Sequence, residues 1–248
     1  MNVIFDMDGV ITNTARVHRT AWKRVFDAML SEYDDSLPPF SHQDYAMYID
    51  GKSRAQGISS FLMSRDLVLD DGAIDSLSLL TKNGIANVKN QFFWDVIQDQ
   101  GVNYFDDALR LIAKLHADGA KLAIGSSSKN AKRLLEYNDI ARFFDVIIDG
   151  VVAEQGGVPS KPDKGFYLHC VIALNEKPEN CVVIEDAISG ITSATKAGIG
   201  SVIGVAREGN VTDLVAAGAS EVVHSLDDCS LYPQKKPQKH AAFSGLGL

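Results

Sequence analysis

Cysteine is scarce in this chain. Cys170, Cys181 and Cys229 are the three in 248 residues, an odd number with no short paired spacing, which argues against a disulfide framework or a thiolate zinc site and leaves them as reduced, structural residues. Long apolar runs are missing too: nothing approaches the roughly 18 consecutive apolar residues of a membrane span. The opening Met1-Asn2-Val3-Ile4-Phe5-Asp6 has no basic stretch leading into such a run, so a soluble, cytoplasmic protein with no membrane partner is expected. Positive charge is in deficit. Lys and Arg number 24 against 32 Asp and Glu, a formal net charge of −8, and no nucleic-acid partner is expected, because binding a phosphate backbone needs clustered basic residues. Phosphate in a cleft remains compatible with that balance, since a bound cation and a few placed basic side chains set the local field.

What is present is an ordinary globular composition, 46% hydrophobic and 23% charged, in a chain long enough for one large domain or for a core carrying a smaller one. Short β-branched apolar runs recur at Val3 to Phe5, Leu122 to Ile124, Val146 to Ile148, Val182 to Ile184, Ser201 to Val205 and Glu221 to Val223. Helix-period segments lie between most of them, at Ala108 to His116, Ala131 to Tyr137, Phe166 to Leu174 and Ile191 to Ala197, an alternation that implies a parallel sheet covered by helices. Residues 15–94 carry no clear strand and show helical spacing in Ala21, Trp22, Val25, Phe26, Met29 and Leu30. The expected layout is an α/β core built from 1–14 and 95–232, a mainly α-helical cap inserted as 15–94, and a loose tail at 233–248. A monomer is expected.

Chemistry concentrates where the predicted strands end. Asp6 and Asp8, in Phe5-Asp6-Met7-Asp8-Gly9-Val10, follow the first strand directly, at the edge where open α/β sheets bind ligands. Asp6 is placed to attack a phosphoryl group and bind a hard cation, and Asp8 to give or take a proton. Asp6-Met7-Asp8-Gly9 also suits an ordinary strand-ending turn. Ser126-Ser127-Ser128-Lys129-Asn130 supplies hydroxyls and N–H groups before a helix, as a phosphate site or a plain N-cap would. Lys161, between Pro159 and Pro162, is a candidate countercharge, though a loop lysine is also ordinary surface. Glu185-Asp186 puts two acids at another strand end, a donor set suited to Mg²⁺, with Asp186 the more direct ligand. Four such ends of one parallel sheet converge on one edge, so the order acid, hydroxyl, lysine, acid pair weighs more than any member.

With those residues in that order, the sequence resembles the haloacid dehalogenase-like superfamily, and within it the β-phosphoglucomutase-like group with a helical cap. The resemblance implies a Rossmann-like core, Mg²⁺-dependent phosphoryl transfer through an aspartyl phosphate, and a small phosphorylated partner, a hexose phosphate. By it, Asp6 is the nucleophile and Asp8 the general acid/base; Ser126 and Lys161 hold the phosphoryl group; Asp6, Asp8, Glu185 and Asp186 form the metal site. It further implies that His18 couples cap closure to Asp8. Gly51 and Arg54, in Asp50-Gly51-Lys52-Ser53-Arg54, form a cap loop that grips a second phosphate; Lys89, in Lys89-Asn90, contacts sugar hydroxyls; and Ser128, Lys129 and Asn130 complete the distal phosphate pocket. A mutase interconverting β-glucose 1-phosphate and glucose 6-phosphate is expected ahead of a small-metabolite phosphatase, and a non-catalytic sugar-phosphate sensor last.

Overall fold

The computed structural model describes residues 1–50, 52–207 and 210–232. The tail expected at 233–248 and Gly51 of the cap loop lie outside the described residues. In chain order the elements are β1 (Asn2–Phe5), α1 (Ala15–Tyr33), α2 (His42–Asp44), α3 (Arg54–Ser64), α4 (Lys82–Gln100), α5 (Asp106–Ala117), β2 (Lys121–Gly125), α6 (Ala131–Tyr137), β3 (Val146–Ile148), α7 (Gly150–Gln155), α8 (Gly165–Ala173), β4 (Cys181–Glu185), α9 (Ile188–Lys196), β5 (Ser201–Val205), α10 (Val211–Ala217) and β6 (Glu221–Val223).

All six strands are parallel and lie in the order β3-β2-β1-β4-β5-β6, the doubly wound, Rossmann-like arrangement expected from the sequence. β1 sits at the centre, paired through Phe5 with Ile124 on one side and Ile184 on the other. A strand so enclosed is apolar on both faces, which is why it reads as a continuous run. Side chains alternate across it: Val3 and Phe5 pack with Leu111, Ile112 and Leu115 of α5, and Ile4 with Phe166, Tyr167 and Cys170 of α8. The order reverses at β1, so the clefts beyond the carboxyl ends of β1, β2 and β4 meet there.

The cap is helical and is inserted between β1 and β2, with no strand among its described residues. Val25, Phe26, Met29 and Leu30 of α1 form one helical stripe that packs on Phe40, Phe61, Leu62 and Ile85. Trp22 and Phe26 stack at 5.1 Å and Phe26 meets Phe61 at 4.3 Å. Between α2 and α3 the chain makes one π-helical turn, Tyr45–Ile49, closed by Asp50 N donating to Tyr45 O at 2.9 Å. The sequence reading ended the cap at residue 94, whereas α4 continues unbroken to Gln100 and stops at Gly101, whose φ of 76° ends it. Past Ile97 the helix is exposed, so no apolar period marks its last turn.

A part-buried ion pair braces the core beneath the chain that leaves β1. Both Arg207 Nη atoms reach Asp107, at 2.6 and 3.0 Å, and Nη2 donates to Val10 O at 3.3 Å. Asp107 also accepts from Leu226 N and Ser225 Oγ at 2.7 and 2.8 Å. Burial opposes its charge, but these donors win and draw its carboxyl down to about 2. A carboxyl whose folded value is depressed stabilises the fold above its unfolded value near 4 and loses that contribution as pH falls toward 2. Asp107→Asn is expected to lower unfolding free energy at pH 7 by on the order of 1–2 kcal/mol. In urea melts the difference from the parent protein should shrink between pH 4 and 2; a pH-independent difference would assign the loss to packing.

Candidate active site

The cleft is built around a buried ammonium. Lys161 is 1% exposed, and its Nζ donates to Asp6 Oδ1 at 2.6 Å, Glu185 Oε1 at 2.6 Å and Gly125 O at 3.0 Å, so all three of its protons are used. Those acceptors sit at the ends of β1, β4 and β2. Glu185 is saturated in turn: Oε1 also accepts from Tyr167 Oη at 2.8 Å, and Oε2 from the N–H groups of Asp186 and Ala187, both at 3.0 Å. Burial works against the Lys161 charge, but Asp6 and Glu185 outweigh it and hold the ammonium protonated. Asp6 is pushed up to about 8 by burial, against the pull of Lys161 and with help from Glu185 and Asp8. Burial, Glu185 and Asp6 push Asp186 well above the usual carboxylate range.

Asp8 lives in different surroundings. Its Oδ1 accepts from Thr12 Oγ1 at 3.3 Å and from Thr14 Oγ1 in a short hydrogen bond, and it faces His18 Nε2 at 3.5 Å. Thr14 stands at the N-cap position of α1 but makes no side-chain cap, because its hydroxyl is turned to Asp8. Burial alone would raise the Asp8 carboxyl; His18, Thr14 and Lys89 lower it overall. His18 Nδ1 lies 2.6 Å from Lys89 Nζ, and burial together with Lys89 keeps the imidazole neutral. With Lys89 donating to Nδ1, the ring proton is left on Nε2, toward Asp8. Lys89 itself is 2% exposed, lies 5.2 and 5.0 Å from the ring centres of Trp22 and Phe93, and is drawn far below an ordinary lysine by burial and Arg54.

A second polar end joins cap and core. Arg54 Nη2 of α3 donates to Asn90 Oδ1 at 3.0 Å, and Asn130 Nδ2 of the core donates to the same oxygen at 2.9 Å. Asn90 thereby fastens the cap arginine to the loop after β2. In that loop Ser126 Oγ accepts from Ser128 N at 3.1 Å and Ser128 Oγ from Asn130 N at 3.3 Å. Asp6, Asp8, His18, Arg54, Lys89, Ser126, Ser128, Lys129, Lys161, Glu185 and Asp186 all line one cleft.

The family model for haloacid dehalogenase-like hydrolases matches residues 1–198 of the chain. The chain belongs to that family. Among relatives, the β-phosphoglucomutase of Mycobacterium bovis is 34% identical over 232 residues, covering 90% of this chain and 88% of its own. The phosphorylated carbohydrates phosphatase of Thermotoga maritima is 30% identical over 225 residues, covering 89% and 93%. Among solved structures, β-phosphoglucomutase from Clostridium difficile superimposes with a TM-score of 0.71 at 26% identity, covering 91% of each chain. The protein is therefore an enzyme, and relatives with both mutase and phosphatase names match nearly all of it.

Three acids that could hold a cation meet at the ends of β1 and β4. Asp6, Glu185 and Asp186 each offer a carboxylate oxygen, all within 4.8 Å of one another. Three carboxylates, two of them buried and Asp186 half-buried, lie near a single ammonium, and the upward push on Asp6 and Asp186 reflects burial and that excess of negative charge. A hard divalent cation with oxygen ligands fits it. Two residues of the sequence reading have further partners of their own. The Asp8 carboxylate, counted among the metal acids, is turned to Thr12, Thr14 and His18 and is outside the cluster. Lys129, counted with the distal phosphate pocket, has its Nζ 2.5 Å from Glu154.

Three polar side chains here carried no role in the sequence reading. Tyr167 lies inside an apolar helix pattern, and Tyr45 and Asp50 flank a turn of no regular period. A polar residue in an otherwise apolar segment was the available signal for Tyr167, and none marked Tyr45. One small residue, by contrast, is explained by the site. Gly9 has φ 87°, and a Cβ there would stand 1.8 Å from Asp186 Oδ2. Gly9→Ala is expected to weaken divalent-cation binding at least tenfold in calorimetric titration, which corresponds to about 1.4 kcal/mol. Gly157→Ala, at φ 63° with open space around it, should bear the backbone strain without altering cation affinity. Equal affinities in the two variants would separate Gly9 from the placement of Asp186.

Proposed function

We propose that this enzyme transfers a phosphoryl group through Asp6 on a sugar phosphate, as a β-phosphoglucomutase acting between β-glucose 1-phosphate and glucose 6-phosphate. The observation that carries the reading is a cleft with two anion-handling ends. One holds Asp6, Lys161 and the three-carboxylate cluster; the other holds Arg54, Asn130 and the Ser126–Ser128 loop. A monophosphate phosphatase needs only the first. The mutase name of the 34% identical relative from Mycobacterium bovis agrees with it.

In this mechanism Asp6 Oδ1 stays bonded to Lys161, and Oδ2 attacks phosphorus in line with the leaving sugar oxygen. A bond forms from Asp6 to phosphorus, the phosphorus to sugar-oxygen bond breaks, and that oxygen takes a proton from Asp8. In the return step Asp8 removes the proton of the attacking hydroxyl and the aspartyl phosphate is consumed. The lowered carboxyl of Asp8 suits the base role. His18, presenting its Nε2 proton, keeps Asp8 oriented while Lys89 fixes the tautomer. Lys161 and Ser126 balance charge on the phosphoryl oxygens. Asp6 and Asp186 would hold Mg²⁺, which when bound supplies Lewis-acid neutralisation of those oxygens. Glu185, with both oxygens already engaged, orients Lys161 and the Asp186 backbone. Arg54 takes the non-transferring phosphate, for which a planar guanidinium suits two-point contact.

A second reading, hydrolysis of a small phosphorylated carbohydrate, uses the same residues with water in place of the sugar hydroxyl. Cap closure separates the two, and the Asn90 link between Arg54 and Asn130 favours a cap that shuts on a substrate with two phosphates. Purified enzyme with Mg²⁺, β-glucose 1-phosphate and a trace of glucose 1,6-bisphosphate should yield glucose 6-phosphate without matching phosphate release. Phosphate release alone would make it a phosphatase. Asp6→Asn should abolish turnover with an intact fold, and near-normal activity would remove the nucleophile assignment. Arg54→Ala should cost a two-phosphate substrate about 1.5–3 kcal/mol, the worth of a charged hydrogen bond, read in kcat/KM; an unchanged value would place the second phosphate elsewhere.

A further inference from the structure

The distal end of the cleft already holds an anion of the protein's own. Glu154 Oε2 accepts from Lys129 Nζ at 2.5 Å, and Glu154 is also the charge that acts on Arg54. The two cations of this end, one from the core and one from the cap, therefore share one carboxylate. α7 holds it there. Gly150 begins that helix directly beneath the loop after β2, its N–H donating to Ser128 O at 3.1 Å. The approach is so close that a Cβ would stand 2.6 Å from Ser127 O and 2.9 Å from Lys129 N. Buried Asp149 caps the helix, accepting from Val151 N and Val152 N at 3.0 and 2.9 Å. Glu154 follows one turn along, at the rim of the cleft.

This pair differs from the one around Lys161 in its access to water. The Lys129 side chain is 35% exposed and that of Glu154 62%. A solvated ion pair is weak, so an entering phosphate, with three acceptor oxygens and more charge, outcompetes the carboxylate for the ammonium. A deeply buried carboxylate would have no water to turn into. The reaction gives a reason for such a contact. Asp6 is one nucleophile, and the phosphoryl group passes between two hydroxyls of one sugar, so the sugar presents first one end to Asp6 and then the other. The phosphate seated at Arg54 in one half of the cycle stands at Asp6 in the other. The distal end must therefore release a phosphate in every turnover. A carboxylate that returns to Lys129 as phosphate leaves keeps the ammonium from losing its counter-charge.

We propose that Glu154 is a placeholder for the distal phosphate: it occupies Lys129 in the unliganded enzyme, is displaced when a second phosphate seats, and by competing with that phosphate sets how tightly it is held. The inference rests on the two-phosphate reading above and adds to it the residue that keeps the distal end from binding too well. Competition of this kind acts on release, where most differences in affinity between related complexes arise.

The test is calorimetric titration of the full chain with glucose 1,6-bisphosphate and fructose 1,6-bisphosphate, with Mg²⁺ and in the Asp6→Asn background so that neither ligand turns over. The isosteric change Glu154→Gln should tighten the preferred bisphosphate at least threefold. Made together with Lys129→Ala, it should tighten that ligand by less than half as much, because the contact it frees is gone. A pair that only held α7 or oriented Lys129 would loosen binding when broken. A smaller tightening, no change or a loss would therefore overturn the placeholder, as would an undiminished effect without Lys129. A parent that binds fructose 1,6-bisphosphate and not glucose 1,6-bisphosphate ends the phosphoglucomutase reading, while the same comparison on that ligand still decides the role of Glu154. A parent that binds neither more tightly than glucose 6-phosphate has no second-phosphate end, which overturns both.

Discussion

Lys161 is the group on which the cleft depends. A fully buried ammonium is tolerated only when paired and hydrogen-bonded, and this one takes partners from three strands: Asp6 after β1, Gly125 in β2 and Glu185 in β4. In satisfying it, the protein fixes the spacing between Asp6 and the Glu185-Asp186 pair. The second layer follows the same logic. Glu185 could not serve Lys161 alone without leaving lone pairs bare, and Tyr167 and two backbone N–H groups complete it. The carboxylate rests against Gly190, where a Cβ would approach to 1.8 Å. Removing any one partner would strand a buried charge.

Two carboxylates two residues apart end in opposite electrostatic states. Asp6 shares one ammonium with two further acids and is pushed up. Asp8 is surrounded by donors and is drawn down. The cap takes part in that division, because His18 and Lys89 belong to α1 and α4. Thr14, at the hinge, gives up its capping bond to reach Asp8. Asn90 ties the other end of the cleft through one oxygen shared by Arg54 and Asn130. The state of the cap is therefore felt at both ends of the cleft, by Asp8 and by the Arg54–Asn130 contact.

The sequence by itself determined the parallel sheet, because strands buried on both faces must be short β-branched runs, and β1, β4 and β5 are such runs. It determined the inserted helical cap, because the stripe through Val25, Phe26, Met29 and Leu30 has the period of a helix. It also singled out Asp6, Ser126, Lys161 and Asp186 as one group, because the ends of parallel strands converge whatever the loops do. What only the tertiary structure decided is the state and pairing of those groups. No spacing tells that a loop lysine is buried among three acceptors, that Glu185 is saturated while Asp186 is not, or that the Asp8 carboxylate faces His18 rather than the cation cluster. Those facts arise from residues distant in sequence, such as Lys89 beside His18 and Tyr167 beside Glu185. Local period carries backbone geometry, whereas charge state depends on burial and on partners that only folding brings near.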